Sequence, residues 1–195
     1  AKVGSVACAH RAEELWHRLQ TTKAHPDKSE SLMRPTIFTY TTLISAWSRV
    51  TAQVPEAGER IYDLVEELWK DENVTLNHRP FSAALNGFAR SNYPLKEEPN
   101  KSKIALAIVT RMREEAKTNE QMRPNLPVFH AAIDCCGKVL ASGELRRQLA
   151  VDGSTVKCET ASLKIAIALF KAMEIDRVRP NNDTFLKLIL CAQNL

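Results

Sequence analysis

The chain has 195 residues, 44% of them hydrophobic and only six of them glycine, which gives enough apolar surface for a sizeable core and argues against a turn-rich β architecture. A formal charge of +4 tolerates an anionic partner without demanding one, and no stretch approaches the ~18 apolar residues of a membrane span. The five cysteines, Cys8, Cys135, Cys136, Cys158 and Cys191, are odd in number and form no C-x-x-C pair. They read as small buried thiols of a reducing compartment, and neither zinc nor a disulfide is expected. The opening AKVGSVACAHRAEELW has no apolar core followed by a cleavage signal. A soluble chain is expected, with any targeting peptide outside it.

Taken in chain order, residues 1–5 read as the tail of an earlier helix. Ala12, Leu15, Trp16 and Leu19 then fall at i, i+3, i+4 and i+7, one face of a helix. A stretched polar connector, TTKAHPDKSES, and the word MRPT at 33–36 lead to a helix of another kind, IFTYTTLISAW. It has an aromatic, Tyr40, then apolar Leu43 and Ile44, then small Ala46. The first pattern returns at Ile61, Leu64, Val65 and Leu68 and is followed by VTLN at 74–77. HRPFSAALNGF repeats the second kind through Phe81, Ala84, Leu85 and Gly87. Ala105, Ile108, Val109 and Met112, the word MRPN at 122–125, and LPVFHAAIDCC with Phe129, Ala132, Ile133 and Cys135 make another round. The last comprises Ala166, Leu169, Phe170 and Met173, VRPN at 178–181, and NDTFLKLILCA with Phe185, Leu188, Ile189 and Cys191.

Two helix types therefore alternate, joined by a short connector whose proline stops one helix and presets entry to the next. Each pair has one apolar stripe per helix and cannot bury both alone, so stacking of neighbours is the natural solution. The expected fold is all-α, an α-solenoid of stacked helix-turn-helix repeats. Residues 1–35 are expected to hold the C-terminal part of a truncated repeat; 36–77, 78–125 and 126–181 hold whole repeats, and 182–195 the first helix of a further one. Polar insertions near 51–55, 91–101 and 139–159 account for the unequal repeat lengths, and GELRRQLAV at 143–151 reads as a short extra helix.

The words TYTTLISAWSR, IAIALFKAM and VRPN resemble the pentatricopeptide repeat, and the resemblance runs from about Ala9 to Leu195. The Trp and Gly-Tyr pattern of the related tetratricopeptide repeat is not present in the first helices. The resemblance implies a right-handed superhelix whose first helices bind single-stranded RNA, one base per repeat, read by two or three side chains. The implied reading pairs are Thr41 with Asn77, Ser82 with Asn125, and His130 with Asn181. A short hydroxyl with Asn looks like adenine recognition in this family, so two adjacent adenines are expected for the first two whole repeats. His130 lies outside the common pairing, and Leu186 offers no hydrogen bond. Two residues before each aromatic stands the implied stacking column of Phe38, Arg79 and Pro127, which ends in Asp183, a residue that repels phosphate. Nine residues after the aromatics, Arg49, Arg90 and Lys138 are placed to hold phosphates, with Asn194 in the fourth copy.

Simpler roles exist for the same residues. Asn77, Asn125 and Asn181 each precede a helix and suit caps, as Thr39 does near a helix start, and capping is compatible with base reading. Thr42 and Ser45 suit close helix approach, the cation column suits helix C-termini, and Trp16, Trp47 and Trp69 suit the core. His10, His17, His25 and His78 have no partner at metal spacing. The carboxylates fall on charged helix faces, and no phosphate loop, zinc-protease or deaminase motif occurs. The chain is therefore not expected to be an enzyme, and no cofactor, metal, membrane or small-molecule substrate is called for. The resemblance implies sequence-selective binding of single-stranded RNA in a mitochondrion or plastid, for processing, stability, translation or editing. The alternative is an α-solenoid scaffold with protein partners, such as a structural subunit of an organellar ribosome.

Overall fold

Helix starts follow from local chemistry in the computed structural model, which describes residues 3–22, 34–92, 100–137 and 154–193. Among the described residues eight α-helices run in order: α1 (Val3–Thr22), α2 (Ile37–Ser48), α3 (Glu56–Lys70), α4 (His78–Arg90), α5 (Lys101–Glu115), α6 (Leu126–Gly137), α7 (Ser154–Ile175) and α8 (Asn182–Gln193). A 3-10 turn, Glu120–Met122, lies between α5 and α6, and no strand occurs among the described residues.

Thr36 caps α2 through a reciprocal box, in which its backbone N–H donates to Thr39 Oγ1 at 2.7 Å and its own hydroxyl accepts from Thr39 N. Asn77 accepts from Arg79 N at 3.0 Å to open α4, and Asn100 accepts from Ser102 N at 3.0 Å to open α5. Pro80 and Pro127 sit in first turns, where a missing N–H costs no helical bond. No side chain caps α3; Glu56 and Glu59 in its first turn and Lys70 in its last oppose the helix dipole instead. Arg177, in the left-handed region at φ 58°, ends α7, with Val178 N donating to Met173 O and Arg177 N to Glu174 O. That pattern satisfies two carbonyls the helix leaves open.

The molecule is all-α, and chain neighbours are packed helix on helix from α1 to α8. The first-type helices α2, α4, α6 and α8 also touch in series, and α5 touches α7. One apolar cluster runs through the stack, with the expected stripes of α3 and α5 wholly buried. The column of small residues marks the places where first-type helices approach. Cys135 Sγ donates to Leu85 O at 3.3 Å, and Cys191 Sγ makes the equivalent bond to Ile133 O at 3.5 Å. Between α2 and α4 the column holds Gly87, and there Ser48 Oγ donates to Ala83 O at 2.7 Å.

Several details differ from the sequence expectation. Residues from Val3 belong to α1 and not to an earlier helix, because nothing in VGSVACAH breaks the helical run. Helix α7 starts at Ser154, inside the expected insertion. Cys8 is exposed, whereas Cys135, Cys136 and Cys191 are buried. Burial pushes the Cys135 thiol up to about 12 and the Cys191 thiol up to about 11, which keeps both protonated and poorly nucleophilic. The expected extra helix at 143–151 and the connector at 23–31 lie outside the described residues. No described helix is long and apolar enough to cross a membrane.

Candidate nucleic-acid interface

The resemblance-implied residues that the structure describes occupy the first turns of α2, α4, α6 and α8, the partly buried columns behind them, and the far ends of α2 and α4. Thr41, one turn into α2, is half-buried and donates its hydroxyl proton to Ile37 O at 2.6 Å. Its oxygen lone pairs remain available as acceptors. Thr42 makes the same backward bond to Phe38 O at 2.8 Å. Short hydroxyls at these positions cost the helix little because each satisfies itself on the preceding turn. The equivalent Ser82 hydroxyl in α4 makes no hydrogen bond among the described residues, and the Ser82 carbonyl accepts from Asn86 Nδ2 at 2.8 Å.

The asparagines act as caps. Asn77 and Asn125 each use Oδ1, to accept from Arg79 N at 3.0 Å and from Val128 N at 3.2 Å. That use leaves their Nδ2 donors for another partner. Thr41 and Asn77 belong to the adjacent packed helices α2 and α4 without bonding each other, and Ser82 and Asn125 stand likewise on α4 and α6.

The third pair is built differently. His130, 14% exposed at its side chain, places Nδ1 3.1 Å from Asp183 Oδ2 and Nε2 2.8 Å from Thr184 Oγ1. Thr184 is fully buried and shares a reciprocal cap with Asn181: Asn181 N donates to the Thr184 hydroxyl at 3.1 Å, and Thr184 N donates to Asn181 Oδ1 at 3.0 Å. Thus Thr184 joins His130 to Asn181. Burial lowers the His130 pKa, a trend that Asp183 and Asp134 oppose and Lys187 assists. A neutral ring satisfies both contacts by donating Nδ1–H to Asp183 and accepting the Thr184 hydroxyl at Nε2. Beside it, Lys187 Nζ lies 2.7 Å from Asp134 Oδ2 and 3.8 Å from Asp183. The sequence reading passed over Thr184, Asp134 and Lys187. Repeat alignment carries a partial signal, since Thr184 shares its column with Thr39, which forms a reciprocal cap with Thr36, whereas buried Pro80 and Val128 fill it in α4 and α6.

In the stacking column, Phe38 is 69% exposed at the first turn of α2, and Arg79 and Pro127 are exposed as well. Arg49, the C-cap of α2, and Arg90, the last residue of α4, are both exposed. Arg49, Arg79 and Arg90 form no ion pair among the described residues. By contrast, Arg60 is held by Glu13 and Glu67, and Arg113 by Asp176. Lys138 lies outside the described residues. No group of three or more His, Cys, Asp or Glu suited to a metal occurs among the described residues.

The hard-to-foresee contacts lie on the other helices. Glu13 of α1 accepts from Trp47 Nε1 at 2.7 Å and from Arg60 Nε at 2.8 Å, which ties α1 to α2 and α3. Arg111 stacks over Trp69, which stacks on Phe81. No protein-family model matches the chain, and no curated protein matches it.

Proposed function

We propose that the chain is a right-handed α-solenoid of helix-turn-helix repeats that binds single-stranded RNA along its first-type helices, one base per repeat. The observation that carries this reading is the paired chemistry at α2 and α4. The Thr41 hydroxyl, back-bonded to Ile37, presents an acceptor, while Asn77, capping through Oδ1, presents donors. An adenine edge offers an amino donor beside a ring-nitrogen acceptor, which complements that pair. Ser82 and Asn125 supply the same groups one repeat later. Exposed Phe38 and Arg79 provide stacking surfaces, and Arg49 and Arg90 provide cations for the backbone. The role is in mitochondrial or plastid RNA metabolism: processing, stability, translation or editing.

Equilibrium binding to short RNAs with a central AA, CC or UU, at two salt concentrations, tests the reading. The AA sequence is expected to bind most tightly, and Thr41→Asn with Ser82→Asn to move the preference towards pyrimidine. Equal, salt-sensitive binding to all three would reduce the claim to phosphate attraction.

A protein scaffold is the second reading, and α6 with α8 favours it. There His130 is committed to Thr184 and Asp183, and the last reading position holds exposed, apolar Leu186. Absence of RNA binding in the same assay selects this reading.

A further inference from the structure

Helices α3 and α5 stand further apart than α5 and α7, which pack on each other. The gap is a groove of about 290 Å³, floored by Val65, Ile104 and Ile108, each at most 6% exposed. That volume is at the small end for a ligand site and takes one large side chain. Tyr62 and Trp69, both half-buried, wall it on the α3 side.

On the α5 side Lys103, Ala107 and Arg111 recur every fourth residue, so they form one exposed line with a small residue between two cations. The cations sit ~12 Å apart along the helix axis. Arg111 lies over the Trp69 ring, 4.2 Å from its centroid, and forms no ion pair among the described residues. Stacking fixes the guanidinium plane and leaves its N–H edge for a carboxylate. The same three columns hold Glu59, Asp63 and Glu67 in α3, and Lys164, Ala168 and Ala172 in α7. In α1 Glu14 stands between His10 and Arg18. Two cations about a small residue are therefore particular to α5 and not a property of second-type helices.

We infer that this groove docks an extended acidic segment of a protein partner, with a large apolar side chain over Ala107 and a carboxylate two residues to either side. In an extended chain those three side chains share one face, and the two carboxylates stand ~13 Å apart, which matches the two cations. One carboxylate pairs with Arg111 and the other lies against Lys103. Half-buried Glu66, on the α3 side of the groove, repels the carboxylates towards α5 and accepts a backbone N–H of the segment. A nucleobase is a poorer occupant, because it stacks on an open aromatic face, and Trp69 has Arg111 over one face and Phe81 against the other. The groove lies on second-type helices, so the inference is independent of what the first-type helices bind.

NMR titration of the 195-residue chain with the peptides GDSXSEG, where X is Leu, Ile, Phe, Tyr or Trp, tests it. At least one is expected to shift the methyl signals of Val65, Ile104 and Ile108 together with the Arg111 Nε–H. Its affinity is expected to exceed that of GSDXESG, which has the same composition with the acids out of register, by about tenfold or more. Changing both acids to their amides, or X to Ser, is expected to weaken binding by about tenfold or more, as is Arg111→Gln. Ala107→Trp fills the depression and is expected to abolish binding, whereas Glu66→Gln is expected to tighten it. Arg111 and Ala107 are exposed, and circular dichroism checks that both variants are folded. Failure of all five peptides to move the groove signals overturns the proposal, as does equal binding of the two registers or of the amide peptides. Larger shifts of the same signals by a short oligouridine would overturn it in favour of nucleic acid.

Discussion

Gly87 shows how a single position sets the distance between two helices. A Cβ there would lie 2.7 Å from Ser48 Oγ, 2.8 Å from Ile61 Cδ1 and 3.3 Å from Ser48 Cα. The first contact is relieved only by turning a hydroxyl that donates to Ala83 O, and the second only by moving a fully buried side chain. Overpacking of this kind costs ~1–3 kcal/mol, against which the higher helix propensity of alanine returns ~1 kcal/mol. Gly87→Ala is therefore expected to lower stability by up to about 2 kcal/mol in urea unfolding. In a Ser48→Ala background the same change is expected to cost less, since one of the two collisions is gone. Additive costs would mean that α2 and α4 adjust as rigid bodies and that Ser48 is not the obstacle. The thiols in the same column are longer and need more room, and they reach the neighbouring carbonyls Leu85 O and Ile133 O.

At the scale of elements, the strength of the α6–α8 joint is expected to depend on pH. His130 has a folded pKa below its ordinary value, with burial as the largest cause. Between the lowered value and ~6.5 the unfolded chain binds the proton that the folded chain refuses, so stability rises with pH through that window. The contribution of the joint is complete above ~6.5 and is lost as pH falls through the folded value. Hydrogen exchange corrected for intrinsic rates is expected to show α8 losing protection relative to α2 between pH 7.5 and 5.5, and His130→Gln to abolish that difference. An unchanged α8-to-α2 ratio in the native chain would refute the assignment. This joint was only half legible in the sequence. Periodicity finds α6 and α8 because their buried faces recur at helical spacing. It cannot pair Asp134 with Lys187 or His130 with Thr184, whose proximity depends on how the helices dock. The same holds for Glu13 with Arg60, brought together across α1 and α3.

For the whole molecule, legibility falls from the middle to the ends. The stripes of α3 and α5 match their sequence pattern because a helix covers each on both sides, while Leu15, Phe185 and Ile189 carry the same pattern and stay exposed. A repeat pattern states what each helix needs, and position in the stack decides whether it is supplied. The candidate interface follows the same rule, since the first two reading pairs and their cations stand on helices packed by first-type neighbours. That placement makes a quantitative expectation possible. For single strands, each phosphate neutralised contributes ~0.7 to the fall of log K with log salt. Arg49 and Arg90 together thus give a slope of about −1.4. Arg49→Ala and Arg90→Ala are each expected to flatten it by about 0.7 while weakening AA, CC and UU sequences alike. Lys117, exposed but paired with Glu114 at the end of α5, is the control, and Lys117→Ala should leave the slope unchanged. If Lys117→Ala flattens it as much as Arg49→Ala does, the strand is attracted by net charge and has no defined path. If Arg49→Ala alters base preference instead of slope, Arg49 touches bases, and the cation column is not a backbone rail.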